Sequence, residues 1–227
     1  AVFKMTVDGV AVATVVSNAV SAGVLLYRLM NTEEIIAVNI KQIRIDQPSF
    51  RHIIRIGLPA GIQSAVFAVS NIIVQSAINS LGTVVMAASS AAFNIEVFAY
   101  DVLNSFSQAC TTFVGQNYGA GQLERCKKVL ALSLVEDMVA SVSAVLLVLL
   151  TGKAFISVFN NAPKVIEVGY TRLMMVFSAY VFSMLYEILS GYLRGFGISL
   201  VPALLTILGV CGVRVFWVEV VFPMSRT

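Results

Sequence analysis

The chain has 227 residues, 58% of them hydrophobic and 12% charged, with a net charge of +3 and a mean hydropathy of +0.89. An ordinary soluble domain carries about 45–50% apolar and about 25% charged residues, so too little polar surface is left here to face water. A lone histidine (His52) and three scattered cysteines (Cys110, Cys126, Cys211) supply neither a His-based triad nor a zinc or disulfide framework.

Apolar runs of about 18 or more residues with few charges read as membrane-spanning helices. Six occur, at 7–30, 53–80, 84–113, 129–151, 165–192 and 198–222. The expected fold is therefore an all-α, polytopic transmembrane helix bundle. The first run follows the start of the chain almost at once, with no charged leader and small-residue cleavage site. The last ends just before Thr227. The chain is expected to be a piece of a longer polytopic protein.

The first run is rich in Gly, Ala and Ser, which let membrane helices approach closely. The polar connection 31–52 carries Lys41, Arg44 and Arg51, with Arg55 just beyond. Positive loops face the cytoplasm, and placing this one inside orients the rest. The uncharged 80–84 turn then falls outside. The 115–128 loop with Arg125, Lys127 and Lys128 falls inside, the 152–164 loop outside, and Arg194 inside. The net positive charge is thus a loop bias and not a nucleic-acid footprint, and no nucleic-acid partner is expected.

The second run opens with Leu58-Pro59-Ala60-Gly61, a pattern that suggests a kink or hinge. Beyond it, Gln63, Ser64, Ser70, Asn71 and Gln75 fall within about 140° of the helical wheel, opposite Ile62, Val66, Val69 and Ile73. The third run divides more sharply. Ile95, Phe98, Val102, Phe106, Ala109 and Phe113 form a lipid half. Ser90, Asn94, Asp101, Asn104, Ser105, Gln108 and Thr112 form a polar half, flanked by Glu96, Tyr100 and Ser107. Ionisable residues inside a membrane are costly and mark functional sites by default, so this half-cylinder is expected to line a water-accessible cavity or the bundle interior. Glu96 and Asp101 point about 140° apart, so one of them at most is expected to be the coupling group while the other binds a neighbouring helix.

The fourth run carries Glu136 and Asp137, read as interfacial anchors or partners of a neighbouring helix. On the fifth, Tyr180, Ser183, Glu187, Ser190, Gly191 and Arg194 share one face. Glu187 is placed either in a lock with Arg194 or beside the acids of the third run. On the last run, Trp217 and the flanking Arg214 and Glu219 read as an outer interface belt.

Four patterns together carry a family resemblance. They are I-G-L-P-A-G-I-Q at 56–63, N-I-E at 94–96, V-G-Q-N-Y-G-A-G at 114–121 ahead of a basic patch, and L-R-G-F-G at 193–197 followed by Pro202. In order and spacing the chain resembles MATE transporters, the multidrug and toxic compound extrusion family, in its bacterial multidrug-efflux branch. The resemblance implies twelve spans in two lobes related by a pseudo-twofold axis, of which this chain covers the sixth to the eleventh. Residues 1–30 would be the last helix of the first lobe, 31–52 a cytoplasmic interlobe linker, and 53–227 a second lobe lacking its final span. It implies export of small amphipathic or cationic drugs and other xenobiotics across the bacterial cytoplasmic membrane. The exchange would be for inward H⁺ or Na⁺, with no other cofactor, and the lobes would rock to alternate access. The missing first lobe and the lipid bilayer are the implied partners.

Carried over by position, the resemblance and the polar faces give a coupling and substrate-cavity set of Glu96, Asp101, Glu187, Gln63, Asn71, Gln75, Asn94, Tyr100, Asn104, Gln108 and Tyr180. Two departures matter. The helix of Gln63, Asn71 and Gln75 has no acid, where some members carry one. Ser183 stands where Na⁺-coupled members have an acid, one turn before Glu187. They argue against a second-lobe Na⁺ site of that kind and move the expected coupling acids to the first lobe. Na⁺ binding through Glu96 or Glu187 is the remaining option in this part. Phe67, Phe93, Tyr100 and Tyr180 are candidates for an adaptable wall with cation–π contacts. Three alternatives compete. A lipid-linked oligosaccharide flippase would be expected to line its cavity with bases, whereas acids outnumber bases in mid-span here. A membrane-embedded enzyme lacks a nucleophile–base set, and a passive scaffold has no use for polar half-cylinders on several helices.

Overall fold

The computed structural model describes residues 7–32, 37–39 and 43–224, so parts of the expected linker (33–36 and 40–42) lie outside the described residues. The chain forms two compact units, Ala1–Phe50 and Arg51–Thr227. In the first, α1 (Val7–Met30) is one uninterrupted helix with Arg28 in its last turn.

α2 runs Gln47–Asn79 and begins inside the expected linker. Asp46 caps it: Oδ2 accepts the Ser49 N–H (3.0 Å) and the Ser49 hydroxyl (2.6 Å). Those two bonds, the hydroxyl's first, hold the Asp46 carboxyl below its ordinary value. The helix continues through Pro59. The interruption in the bundle lies elsewhere, in the run expected as one span at 165–192. That run is two helices, α5 (Pro163–Ser178) and α6 (Tyr180–Gly195), bent by 50° at Ala179. At the break the Ser178 hydroxyl takes the Met175 carbonyl (2.7 Å), competing locally with the helical ladder.

α3 (Thr83–Gly119) and α4 (Leu123–Phe159) are longer than expected. At 37 residues each they reach roughly 55 Å, well beyond a hydrocarbon core of about 30 Å. The expected 115–128 loop shrinks to a turn because most of G-Q-N-Y-G is helical. The turn closes when Gly121 takes a left-handed φ of 72°, letting Gln122 N–H reach Asn117 O (2.8 Å) and Gly121 N–H reach Tyr118 O (2.9 Å). Gly197 (φ 78°) ends α6 in the same way, with Ile198 N–H on Leu193 O (3.0 Å). The expected 152–164 loop is also mostly helix; its turn is held by Asn160 Oδ1 on Ala162 N–H (2.9 Å), with Pro163 opening α5. The last helix, α7 (Leu200–Met224), widens into π-helical turns at Thr206–Gly212 and Trp217–Val221.

α3 is the hub, packing on α4, α5 and α6. One core cluster joins Ala91, Ala92, Ile95, Ala99 and Leu103 to Ile156, Leu173 and Phe177; a second joins Cys110 and Val114 to Cys126 and Ile188. Small residues make this closeness possible, as membrane helix contacts require. The tightest seam is α3 on α6. A Cβ on Gly191 would sit 2.6 Å from the Ser107 carbonyl oxygen, and one on Gly195 2.6 Å from Val114 Cβ. These glycines are four residues apart, a G-x-x-x-G spacing that presents bare backbone to α3. The Thr111 hydroxyl bonds Gly191 O (2.9 Å) across the seam, and the Ser107 hydroxyl donates to Glu187 O (2.8 Å).

Candidate functional site

α3 has three faces where the sequence suggested two. The packed face runs through Ala88, Ala92, Ala99, Leu103, Cys110 and Val114. Ile95, expected toward lipid, belongs to it, and Phe106 packs against it. Phe98, Val102 and Phe113 do lie on an exposed apolar face. The polar residues occupy the remaining side, about 100–180° from Leu103 at 100° per residue. Ser90, Asn94, Asp101, Ser105, Gln108 and Thr112 are exposed there and Asn104 is half-buried. Their hydroxyls and amides bond mainly to their own helix: Asn94 to Ser90 O (3.0 Å), Ser105 to Asp101 O (2.7 Å), Thr112 to Gln108 O (3.0 Å). The helix thus presents a polar strip opposite its packing seam, with the Asp101 carboxylate on it.

The two acids of α3 have separate fates. Glu96 points toward the bundle, where Arg172 of α5 grips it through two parallel bonds, Nε to Oε1 (2.9 Å) and Nη2 to Oε2 (3.0 Å), while Nη1 reaches Ser89 O (3.4 Å). Of the two acids it is therefore the one bound to a neighbouring helix, as half of an interhelical ion pair. Sequence reasoning passed over Arg172, although a mid-span arginine needs a partner as much as an acid does.

Glu187 is buried on α6 and its Oε1 accepts the Tyr100 hydroxyl (3.1 Å) from α3. Of its two expected placements, the ion pair with Arg194 is not formed among the described residues, and the bond to Tyr100 sets Glu187 against α3. Arg194 donates instead to Gln63 Oε1 (3.3 Å). Gln63 joins three helices, its amide also bonding Thr206 (2.7 Å) and Tyr186 (3.4 Å), which are bonded to each other. Asn71 accepts from Arg214 (3.1 Å), whose guanidinium lies 5.2 Å from the Phe67 ring centre. Arg214 is therefore tied to α2, where an interface belt was expected. Gln75 bonds Asn79 on its own helix (2.8 Å). Tyr180, expected on a cavity wall, is 7% exposed and packs in the core while also lining a groove beside Ser141 and Met184, whereas Phe93 is 52% exposed.

The residue most misjudged from sequence is Asp137. It is fully buried, its Oδ1 accepting the Ser141 hydroxyl (2.9 Å), while Glu136 beside it is exposed. A signal existed: Ser133, Asp137 and Ser141 recur every fourth residue and make a small polar stripe on the buried side of α4.

Membrane-length apolar helices, a hub helix with an open polar strip, and buried acids held by side chains of neighbouring helices define a multi-pass α-helical membrane protein. The MatE family model matches residues 59–217, and the chain belongs to that family. It is 26% identical over 211 residues to a probable multidrug resistance protein NorM of Thermotoga maritima, covering 93% of this chain and 45% of that one. It is 23% identical over 226 residues to the probable multidrug resistance protein YoeA of Bacillus subtilis, covering 98% and 48%. A crystal structure of MATE in complex with MaL6 shares the fold with a TM-score of 0.80 at 18% identity, over 93% of this chain and 49% of that one. The chain spans about half the length of the relatives it matches.

Proposed function

We propose that this chain is the second-lobe part of a cation-coupled antiporter that exports lipophilic cations and other amphipathic drugs across the bacterial cytoplasmic membrane. Residues 1–30 are assigned to the end of the first lobe, 31–52 to the linker and 53–227 to the second lobe. The observation that carries the reading is the open polar strip of α3. Amides, hydroxyls and a carboxylate facing lipid would be costly, and such groups are tolerated at membrane depth where they face a water-filled cavity or another part of the protein. Transport in a two-lobed family needs such a cavity, and the multidrug names of the relatives support the cargo class.

Within the strip Asp101 is the acid assigned to the drug. It gives a cationic cargo an electrostatic partner, and Phe93, about two turns earlier on α3, exposes an aromatic face. Glu96 is assigned to holding α3 against α5. Exchange for inward H⁺ or Na⁺ requires that a carboxylate take up its proton or Na⁺ as the drug leaves and give it up before the next drug binds, so that each state of the cavity favours one cargo. The test is efflux of a fluorescent lipophilic cation from cells expressing the full-length protein. Asp101→Asn lowers it, and wild-type efflux by Asp101→Asn would sink the assignment. Imposed gradients separate the coupling ions: export that follows a Na⁺ gradient and ignores a pH gradient excludes proton coupling.

A further inference from the structure

Asp137 lies about four turns into α4, and at 0% exposure it is the most deeply buried carboxylate among the described residues. Ser141 occupies one of its oxygens; the other, Oδ2, is buried without a hydrogen-bond partner. The Tyr180 hydroxyl on α6, which packs on α4, is also buried and partnerless. Asp137 and Glu187 are within electrostatic reach of one another, and both, with Glu96 and Tyr100, are within reach of Tyr180. Ser141 and Tyr180 also line an apolar groove between α4 and α6, with Met138, Val142, Val181 and Met184. Asp137 therefore sits one side chain behind the groove wall.

An ionised carboxylate in such a place calls for a cation, and among the described residues none forms an ion pair with Asp137. Arg172 grips Glu96, and Arg194 bonds Gln63 and lies within electrostatic reach of Glu187. From α3 the facing groups are Tyr100 and the Cys110 thiol, which is bonded to Ser133, and neither brings positive charge. A metal cage asks for about six oxygens, whereas Asp137, Ser141 and Tyr180 supply four. A proton needs one oxygen.

We propose that Asp137, with Tyr180 and Glu187, forms a proton-binding site inside the α3–α4–α6 bundle, served by the α4–α6 groove. In the binding step a hydronium ion in the groove gives its proton to Oδ2, forming one O–H bond and leaving water, and the carboxylate charge goes from −1 to 0. Protonation removes the charge that Oδ2 otherwise holds without a partner, and the likewise unpartnered Tyr180 hydroxyl lies in the same buried cluster without bonding Asp137 in this structure. Glu187, the second acid in reach, competes for charge: with Arg194 nearby it carries the negative charge while Asp137 carries the proton. As a device that drives drug export this rests on the antiporter reading above; as a proton site it does not.

The test is infrared spectroscopy of the purified full-length protein across a pH series, in water and heavy water. The wild type is expected to show a protonated-carboxyl stretch that shifts in heavy water and is missing in Asp137→Asn. A wild type without such a band at any pH, or an identical band in Asp137→Asn, overturns the proposal. Should Asp137→Asn fail to fold, Ser141→Ala keeps the carboxyl and removes its donor; its band must move, and an unmoved band also overturns the site. Drug-elicited proton release then tests the coupling role. Coupling of this kind is commonly worth about 5- to 150-fold in affinity, and Asp137→Asn is expected to flatten the pH dependence of drug binding by that factor. A wild type with the band but no drug export would leave the site standing and remove the antiporter reading.

Discussion

The two sides of α3 obey opposite rules. On the packed side, small side chains and the bare backbone of Gly191 and Gly195 bring α6 so close that hydroxyls bond across the seam to carbonyls. On the polar side, residues of the same helix at the same depths are exposed and bond largely to their own backbone. A helix in lipid has no hydrophobic drive to join its neighbours, so shape and interhelical hydrogen bonds decide which side closes. The polar strip has the richer hydrogen-bonding chemistry, yet the side with the smaller residues is the one that packs. Fit outranks polarity in choosing the seam, and the polar groups left over are available for function.

The most forceful way to break this contrast is to fill the seam. Gly191→Leu places a whole side chain where a single Cβ already meets Ser107 O at 2.6 Å. The cost is expected to exceed the roughly 1–3 kcal/mol of ordinary overpacking, because the obstacle is backbone. The full-length protein should be lost from the membrane or run as aggregate in size-exclusion chromatography. The same change at Gly119, where a Cβ meets nothing within 4 Å, should leave a monodisperse protein.

Next in size is the ion pair at the end of the packed side. The Arg172 and Glu96 side chains are 26% and 16% exposed, so removing one partner strands a largely desolvated charge. Breaking a buried pair costs about 3–5 kcal/mol, and partial exposure puts this one near the lower end. Glu96→Gln and Arg172→Met should each lower the melting temperature of the purified protein. The double variant Glu96→Gln/Arg172→Met should recover most of the loss, because no unpaired charge remains. Recovery of transport along with stability would identify the pair as a strut. Recovered stability with lost transport would return Glu96 to the mechanism.

How much of this was legible in the sequence follows from what sequence periodicity measures. The hydrophobic runs located the candidate spans (the bent α5–α6 pair read as one) and the polar strip of α3, because both are properties of a single stretch of chain. The partner of each polar residue is a property of two helices, and there the reading missed. Ile95 looks like a lipid residue until α5 and α6 are placed beside it. Asp137 looks like an anchor until Ser133 and Ser141 are seen to share its buried side. The bend at Ala179 has no proline or glycine to announce it. The G-x-x-x-G of Gly191 and Gly195 was visible in the string, but its meaning depends on Ser107 and Val114 lying opposite.

On the polar side the contrast predicts the reverse pattern, function lost and stability kept. Asp101→Asn removes a charge that forms no ion pair or hydrogen bond with another helix among the described residues, so the melting temperature should stay within error. A charge-assisted contact with a cationic drug is worth about 1.5–3 kcal/mol, so the apparent drug affinity should fall about tenfold or more. An uncharged substrate of similar shape should be spared. An equal loss for charged and uncharged cargo would show that Asp101 shapes the cavity and does not supply its charge.

The smallest effect offers the sharpest comparison, because Thr111 and Thr112 are neighbours with the same side chain about 100° apart on the helix, one at the seam and one on the polar strip. The Thr111 hydroxyl bonds Gly191 O across the seam and Ser107 O in its own helix, both at 2.9 Å. The Thr112 hydroxyl bonds only Gln108 O in its own helix, at 3.0 Å. Valine preserves the shape of threonine and removes the hydroxyl, so the pair of substitutions isolates the interhelical bond. Interhelical hydrogen bonds in membranes average about 0.6 kcal/mol, and Thr111→Val should lose about that much stability while Thr112→Val loses almost none. Drug binding should show the inverse order, since only Thr112 lies on the open strip. If both variants lose stability equally, the two sides of α3 are not distinct in energy, and the polar strip is covered by packing of its own.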